Sequence, residues 1–200
     1  MVRVGVRLEA TRHGVPRVTQ FEYITIGVSI VLALAVARIL EGLRDSFDPS
    51  RRYPIHALWV VSKLLNTLIY FWAGWLYRGA IERWNFAAFL VYVVPPALLF
   101  LQVHTLLTAH PDAVADWRSH FWRIRRWFFA VNAALALLTS LLVLVVVGSR
   151  EVAVAALLAL NLLVSIAGFA SAGERLHRVL AIAYLLILSL GLGNLFLATP

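Results

Sequence analysis

The chain has 200 residues, of which 62% are hydrophobic and 14% are charged, with a formal net charge of +8 and no cysteine. Soluble domains contain about 45–50% apolar and about 25% charged residues, and the mean hydropathy of +0.83 leaves too little polar surface to cover a soluble globule. This composition excludes a soluble enzyme, a disulfide-stabilised secreted domain and a disordered tail. It predicts an all-α integral membrane protein.

Residues 1–20 are predicted to form a basic N-terminal tail, in which four residues are arginine. The tail has no apolar core of a signal peptide, and no small-residue cleavage site follows in the first span, so we expect no removable signal peptide. The rest of the chain, 21–200, is predicted to be a single transmembrane domain.

Six segments are predicted to span the membrane, because a spanning helix needs about 20 mainly apolar residues. They are approximately residues 22–42, 56–77, 86–108, 127–147, 152–172 and 178–198. The connections between them carry glycine, proline or charged residues, which are typical of helix ends. The sequence therefore predicts a bundle of six transmembrane helices.

The connections differ in charge, and this difference predicts an orientation. The connections between spans 1 and 2, 3 and 4, and 5 and 6 hold nine arginines, whereas the other two hold three. Since cytoplasmic loops carry the excess of Lys and Arg, we predict that the first set is cytoplasmic and that both termini are outside. Only the basic tail opposes this assignment. The use of 17 arginines and a single lysine is typical of a GC-rich bacterial genome, so we expect a bacterial inner membrane.

A basic aromatic segment precedes the fourth span, at residues 117–127 (WRSHFWRIRRW). Tryptophan and arginine are enriched where helices meet the membrane surface. We therefore expect Arg123, Arg125 and Arg126 to contact anionic lipid headgroups. Because the basic residues lie in short connections between apolar runs, nucleic acid is not an expected partner.

Polar residues inside the spans are costly, and by default they mark a functional site. At 1.5 Å per residue, those of this chain are predicted to fall in one layer in the cytoplasmic third of the membrane. The candidates for a solute or ion pathway are Arg38, Glu41, Lys63, Asn66, Gln102, His104 and Glu174.

Lys63 lies too deep in its span for its ammonium to reach the membrane surface, so we expect it to be paired with a polar group. The predicted partners are Glu41, Glu174, Gln102 or His104. Gln102 and His104 diverge by about 200° around their helix, so only one of them can face such a partner. For Arg38 the simpler alternative is snorkelling to the surface, and for Asn66 and His104 it is helix packing through hydrogen bonds.

Pro95 and Pro96 are adjacent at the centre of the third span, where they predict a helix break. Broken helices often line transport sites in proteins built from inverted repeats. Weak matches between the first three and the last three spans, such as Lys63-Leu64-Leu65 with Asn161-Leu162-Leu163, suggest a 3+3 inverted repeat.

Several short motifs carry a family resemblance. They are FEY at 21–23, RILEGL at 38–43, YPIHALW at 53–59 and RRWFF at 125–129. Together they resemble an uncharacterised family of small bacterial six-helix inner-membrane proteins that open with the FEY motif. The resemblance covers about residues 21–145 and implies no activity. From the resemblance we expect residues 1–20 to be either an extension or the result of a misplaced start.

Three functions are compatible with these patterns. The first is a channel or transporter for an ion or small polar solute, which we expect to form a homo-oligomer because six helices enclose little space. The second is a non-catalytic membrane partner that regulates another protein through residues 109–126. The third is a membrane enzyme that acts on a lipid or quinone, with Glu22 and Tyr23, or His104 and Glu174, as acid and base. No cofactor or metal is expected, because no nucleotide-binding loop or metal-binding motif is present.

Overall fold

The computed structural model describes residues 19–78, 81, 84–108 and 114–198. Within these residues all regular structure is helical, in the order α1 Gln20–Phe47, α2 Pro54–Leu76, α3 Phe86–Leu107, α4 Trp117–Ser140, α5 Val152–Ala170 and α6 Glu174–Ala198. A π-helical segment, Leu141–Val146, continues α4 directly. The predicted basic tail, except for its last two residues, lies outside the described residues.

Six helices of the described chain are long and apolar enough to cross a membrane, which confirms the predicted helical class and the number of candidate spans. The helix that contains the fourth predicted span begins at Trp117, ten residues before that span, and continues to Val146, because the basic aromatic segment is itself helical. That segment is therefore the first part of α4 rather than a separate surface element.

Side-chain caps fix the N-termini of three helices. Thr19 and Glu22 form a reciprocal capping box at the start of α1, with hydrogen bonds of 3.2 and 2.8 Å. Asn85 and Asp116 cap α3 and α4 by accepting a backbone N–H three residues later, at 2.9 and 2.8 Å. For Asp116 that donor is the N–H of Ser119, and this hydrogen bond lowers the pKa of the Asp116 carboxyl. The capping residues thus mark where the polar connections give way to the apolar helices.

The helices form a ring of neighbours in the order α1, α3, α4, α5, α6 and α2, which closes on α1. α2 additionally contacts α3 and α4, so it occupies the most central position. This position agrees with its composition, because α2 is the least apolar of the six candidate spans and half of its most apolar stretch is buried, whereas α5 is more apolar and only 17% of that stretch is buried. The polar side chains of α2 are therefore directed into the bundle.

The connections α1–α2, α3–α4 and α5–α6 meet at one end of the bundle. There Trp117 Nε1 donates to the carbonyl of Asp45 at 2.7 Å, and Arg118 Nη2 donates to Glu174 Oε2 at 2.9 Å. We call this the basic end, since these connections and the flanking helix turns contain the nine arginines counted above. The opposite end carries the start of α1, the α2–α3 connection and the α4–α5 connection.

The predicted inverted repeat finds no support in the pattern of helix neighbours. A repeat would relate α1, α2 and α3 to α4, α5 and α6. α1 packs extensively against α3, whereas the corresponding helices, α4 and α6, contact each other mainly through long side chains, such as Arg118 with Glu174 and Trp122 with His177. The two halves of the chain therefore pack differently.

The predicted break at Pro95 and Pro96 is wrong, because α3 remains helical through both residues. Each proline removes one backbone donor, yet both are buried in a helix that packs against α1 and α4. Tertiary packing of this kind can hold a helix together where local propensity disfavours it.

The irregular helix geometry lies instead in the π-helical segment that follows α4. Here the N–H of Val147 donates to the carbonyl of Leu142 at 2.8 Å, five residues earlier. The segment ends before Gly148, whose φ of 74° lies in the left-handed region that glycine adopts without steric cost. π-Helical turns occur frequently at functional sites, and this one borders the cavity described below.

Candidate functional site

Lys63 is fully buried, with none of its surface exposed. Its Nζ donates to Asn132 Oδ1 at 2.6 Å and to Tyr184 Oη at 3.1 Å. Nζ also lies over the rings of Trp59, Phe128 and Tyr184, at 5.9, 5.3 and 4.7 Å from their centroids. Neutral oxygens and aromatic faces, both of which favour a cation, thus surround the amine.

Asn132, on α4, connects this lysine to two further helices. Its Oδ1 accepts from Lys63 and also from Gln102 Nε2 at 3.0 Å, which engages both lone pairs of the amide oxygen. Its Nδ2 donates to Ser165 Oγ at 2.8 Å. One asparagine therefore links α2, α3 and α5 to α4.

Tyr184 brings α6 into the same arrangement. Its hydroxyl oxygen accepts from both Lys63 and Asn66 Nδ2, the latter at 3.2 Å. We call the connected set the buried network, which consists of Lys63, Asn66, Gln102, Asn132, Ser165 and Tyr184. Lys63 is its only ionisable cationic group, and within the described residues no carboxylate oxygen lies within 4.0 Å of Nζ.

The predicted pairing of Lys63 with Glu41 or Glu174 is wrong. Glu41 is exposed and pairs with Arg38 on its own helix at 3.3 Å. Glu174 is the first residue of α6, ten residues before Tyr184, and it pairs with Arg118 at 2.9 Å. Both carboxylates lie near the basic end, at the surface of the bundle, and too far along their helices to meet the lysine.

Of the two candidates on α3, Gln102 joins the buried network and His104 does not. Gln102 is buried, and its Nε2 also donates to the carbonyl of Phe128 at 3.3 Å. His104 is on the exposed face of α3, where its ring stacks on Phe100 at a centroid distance of 6.2 Å. The predicted divergence of these two side chains thus places only the glutamine inside.

Arg38 has a role that the sequence did not predict, since it caps the end of α3. Its side chain is 19% exposed, and Nη2 donates to the carbonyls of Leu107, at 3.1 Å, and of Thr108. These are orphan carbonyls at the negative end of the α3 dipole, which favours a cation. Arg38 therefore ties α1 to α3 rather than belonging to the buried network.

Two histidines complete this cap. His56 Nε2 and His120 Nε2 approach the same carbonyl, that of Leu106, at 3.0 and 3.1 Å. His56 is fully buried and stacks on Trp117 at a centroid distance of 4.4 Å. Basic side chains from α1, α2 and α4 thus converge on the last carbonyls of α3, a tertiary arrangement with no signal in the local sequence.

The three arginines expected at the lipid headgroups do not share one face of α4. Arg123 and Arg126 are exposed, whereas Arg125 is only 7% exposed and its guanidinium lies 5.5 Å from the ring centroid of Trp122. Successive side chains on an α-helix are rotated by about 100° around its axis, so the side chains of neighbouring residues cannot all point outward. The expectation of a headgroup contact is therefore retained for Arg123 and Arg126 only.

A cavity of about 310 Å³ lies between the buried network and the opposite end of the bundle. Residues of α2, α4, the π-helical segment, α5 and α6 line it. Asn66 and Asn161 form its polar floor, and since Asn66 belongs to the buried network, the network begins where the cavity ends. The walls are mostly apolar side chains, including Ile69, Leu157 and Leu188.

On its other side the buried network is covered by packed aromatic rings. Trp59, Phe128 and Phe129 are fully buried, and their rings pack at centroid distances of 5.2 Å. Trp117 and Phe121 continue this packing toward the basic end. We call these five residues the aromatic layer. The cavity and the aromatic layer thus lie on opposite sides of Lys63.

Within the described residues, no group of three or more His, Cys, Asp or Glu side chains is placed to hold a metal ion. Comparison of the chain with protein-family models, with curated proteins and with solved structures finds no match. The functional interpretation therefore rests on the buried network and the cavity themselves.

Proposed function

We propose that this chain is a multi-pass protein of the bacterial inner membrane and that it transports a small polar or charged solute. In this proposal the six candidate spans cross the bilayer, and the basic end faces the cytoplasm. Its nine arginines support that orientation, and Arg123 and Arg126 contact anionic lipid headgroups.

One observation carries the proposal: the cavity ends at the buried network, and the aromatic layer fills the space beyond it. A channel needs a continuous polar path, whereas a carrier exposes its site to one side at a time, with sites near the membrane centre. A cavity that extends from the opposite end and stops at Asn66 of the buried network is the arrangement of a carrier open to one side. It favours a transporter over a channel.

The expected homo-oligomer remains a prediction. The cavity is lined by four helices of a single chain, so transport through it does not require a second copy. Native mass spectrometry of the detergent-solubilised protein measures the number of chains directly.

Uptake into proteoliposomes tests the proposed transport. We expect the wild-type protein to accelerate uptake of at least one isotopically labelled solute from a panel of chloride, nitrate, lactate, urea and glycerol. Uptake by a carrier saturates with solute concentration. Leu158→Trp, which fills the cavity, is expected to reduce the rate at least about tenfold.

Leu160→Trp is the matched control, because Leu160 lies on the exposed face of the same helix, outside the cavity. It should transport at the wild-type rate. Uptake that rises in proportion to concentration without saturation would indicate a channel. Uptake no faster than that of protein-free vesicles for every solute contradicts transport and favours the alternative of a non-catalytic membrane partner.

The geometry does not support the third alternative, a membrane enzyme. His104 is on the exposed face of α3, whereas Glu174 is held by Arg118 at the start of α6. At the opposite end, Glu22 takes part in the capping box with Thr19. His104 and Glu174 therefore do not form a pair, and Glu22 is held in the cap of α1.

A further inference from the structure

Charge balance in the buried network points to the class of solute. In its protonated form Lys63 is the only cation of the network, and its described neighbours supply no negative charge. An ammonium has three N–H donors, of which two are accepted, by Asn132 and Tyr184. An ion buried without a counter-charge is costly in a membrane, so an anionic ligand at this place would be stabilised by the charge it neutralises.

The cavity brings a ligand close to this ammonium. Tyr184 Oη accepts from both Lys63, at 3.1 Å, and Asn66, at 3.2 Å, and Asn66 lines the cavity floor. A ligand on the floor is therefore separated from Lys63 by one shared hydroxyl. Across the floor, Asn161 supplies a second side-chain amide, whose N–H groups are donors of the kind that an anion accepts from.

The walls of the cavity indicate the chemistry of the part of the ligand that does not contact the floor. Above the two asparagines the cavity is lined mainly by alkyl side chains of α2, α5 and α6, such as Ala73, Leu158 and Ile187. A volume of about 310 Å³ is at the lower end of the range of about 300–1,000 Å³ for small-molecule sites. The shape and polarity of the cavity thus suit a short apolar chain with one polar end.

Among the described residues that line the cavity, Glu151 alone is charged. It precedes α5 and is exposed at the opposite end of the bundle. Ten residues of helix separate it from Asn161, which corresponds to about 15 Å. Glu151 is exposed at that distance, whereas Lys63 is separated from the floor by a single hydroxyl, so the lysine is the nearer ionisable group to a ligand on the floor.

We propose that the cavity binds a short-chain monocarboxylate, with its carboxylate on the floor at Asn66 and Asn161 and its alkyl chain between α2, α5 and α6. The carboxylate supplies the negative charge that the buried network lacks. This inference deepens the proposed function and rests on it for the movement of the ligand across the membrane. Binding itself can be measured without transport.

Calorimetric titration of the purified protein in non-ionic detergent tests the ligand class. The probes are hexanoate, hexanamide and hexylammonium, which share one alkyl chain and differ in charge. We expect hexanoate to bind at least about tenfold more tightly than either of the others. Equal binding of hexanamide, or tighter binding of hexylammonium, would overturn the assignment of an anion.

Two variants locate the site. Lys63→Met is expected to reduce hexanoate affinity at least about tenfold, and wild-type affinity in the folded variant overturns the role of Lys63. Should Lys63→Met fail to fold, Leu158→Trp tests the same cavity with the lysine in place, and Leu160→Trp is its control. Hexanoate binding that is unchanged in Leu158→Trp shows that the ligand lies elsewhere.

A second titration distinguishes the source of the carboxylate. Palmitate and hexanoate are compared in lipid nanodiscs: preference for hexanoate indicates a ligand that enters from water, and preference for palmitate indicates a fatty acid that enters from the bilayer. Either preference supports a monocarboxylate site. Absence of binding by all of these carboxylates to the folded wild-type protein refutes the inference, whereas uptake of another solute would still support transport.

Discussion

Asn132 illustrates how a single neutral side chain can organise a buried charge. Its amide oxygen accepts from Lys63 and Gln102, and its amide nitrogen donates to Ser165. Replacing it with an apolar residue leaves buried donors without an acceptor, which costs about 1–3 kcal/mol for each group. The residue therefore contributes to stability and, through Lys63, to the proposed ligand site.

Asn132→Asp separates these two contributions. An aspartate of nearly the same shape keeps an acceptor for Lys63 and Gln102, so we expect the melting temperature in detergent to stay closer to wild type than that of Asn132→Leu. The new carboxylate neutralises Lys63, so hexanoate affinity should fall at least about tenfold. Both values come from thermal unfolding and calorimetric titration of the same preparations.

Asn132→Leu serves as the stability control, because it removes the acceptor without adding charge. Wild-type hexanoate affinity in folded Asn132→Asp would contradict the view that the ligand neutralises Lys63.

At the scale of the helices, close contact between α4 and α5 depends on a glycine. A Cβ atom added at Gly168 would lie 2.3 Å from the ring of Phe129. Phe129 is fully buried and packs against Trp59 in the aromatic layer, so its ring has little room to move. The position of the aromatic layer is therefore coupled to the packing of α5.

We expect Gly168→Ala to destabilise the protein by about 1–3 kcal/mol, the usual cost of overpacking a core. The measurement is the melting temperature in detergent. Gly27→Ala is the matched control, because Gly27 lies within α1 and an added Cβ meets nothing within 4 Å. It should be neutral or stabilising by about 0.5–1 kcal/mol. Equal melting temperatures of the two variants would show that the Phe129 ring moves to accommodate the added methyl group without a loss of stability.

At the scale of the whole molecule, the two ends of the bundle differ in charge and in openness. The basic end carries nine arginines and the aromatic layer, whereas the cavity lies toward the opposite end. With the basic end in the cytoplasm, the cavity would open toward the outside, and the proposed carrier would be in an outward-facing state.

Single cysteines test this orientation, because the chain contains no native cysteine. In intact cells we expect an impermeant maleimide to label Glu151→Cys, at the opposite end, but not Ser50→Cys, at the basic end. Ser50→Cys should become reactive after the cells are permeabilised, which controls for its accessibility. The reverse pattern of labelling would invert the proposed topology.

The helical class and the number of candidate spans follow from local patterns in the sequence. Hydropathy and helix length are local properties of about 20 residues, so six apolar runs suffice to predict six helices. The depth of Lys63 in its run likewise predicted a buried lysine that needs polar partners. The local pattern wrongly predicted a helix break at Pro95 and Pro96, because the packing of α3 against α1 and α4 stabilises the helix at these residues.

Only the tertiary structure decided which groups meet Lys63. Asn132 and Tyr184 are 69 and 121 residues away in the sequence, and their faces converge only through the central position of α2 in the helix ring. A search by charge alone favoured Glu41 and Glu174, although both remain near the basic end. The groups that contact a buried side chain depend on which helix faces pack together and on the depth at which they do so. The sequence of a single helix specifies neither of these.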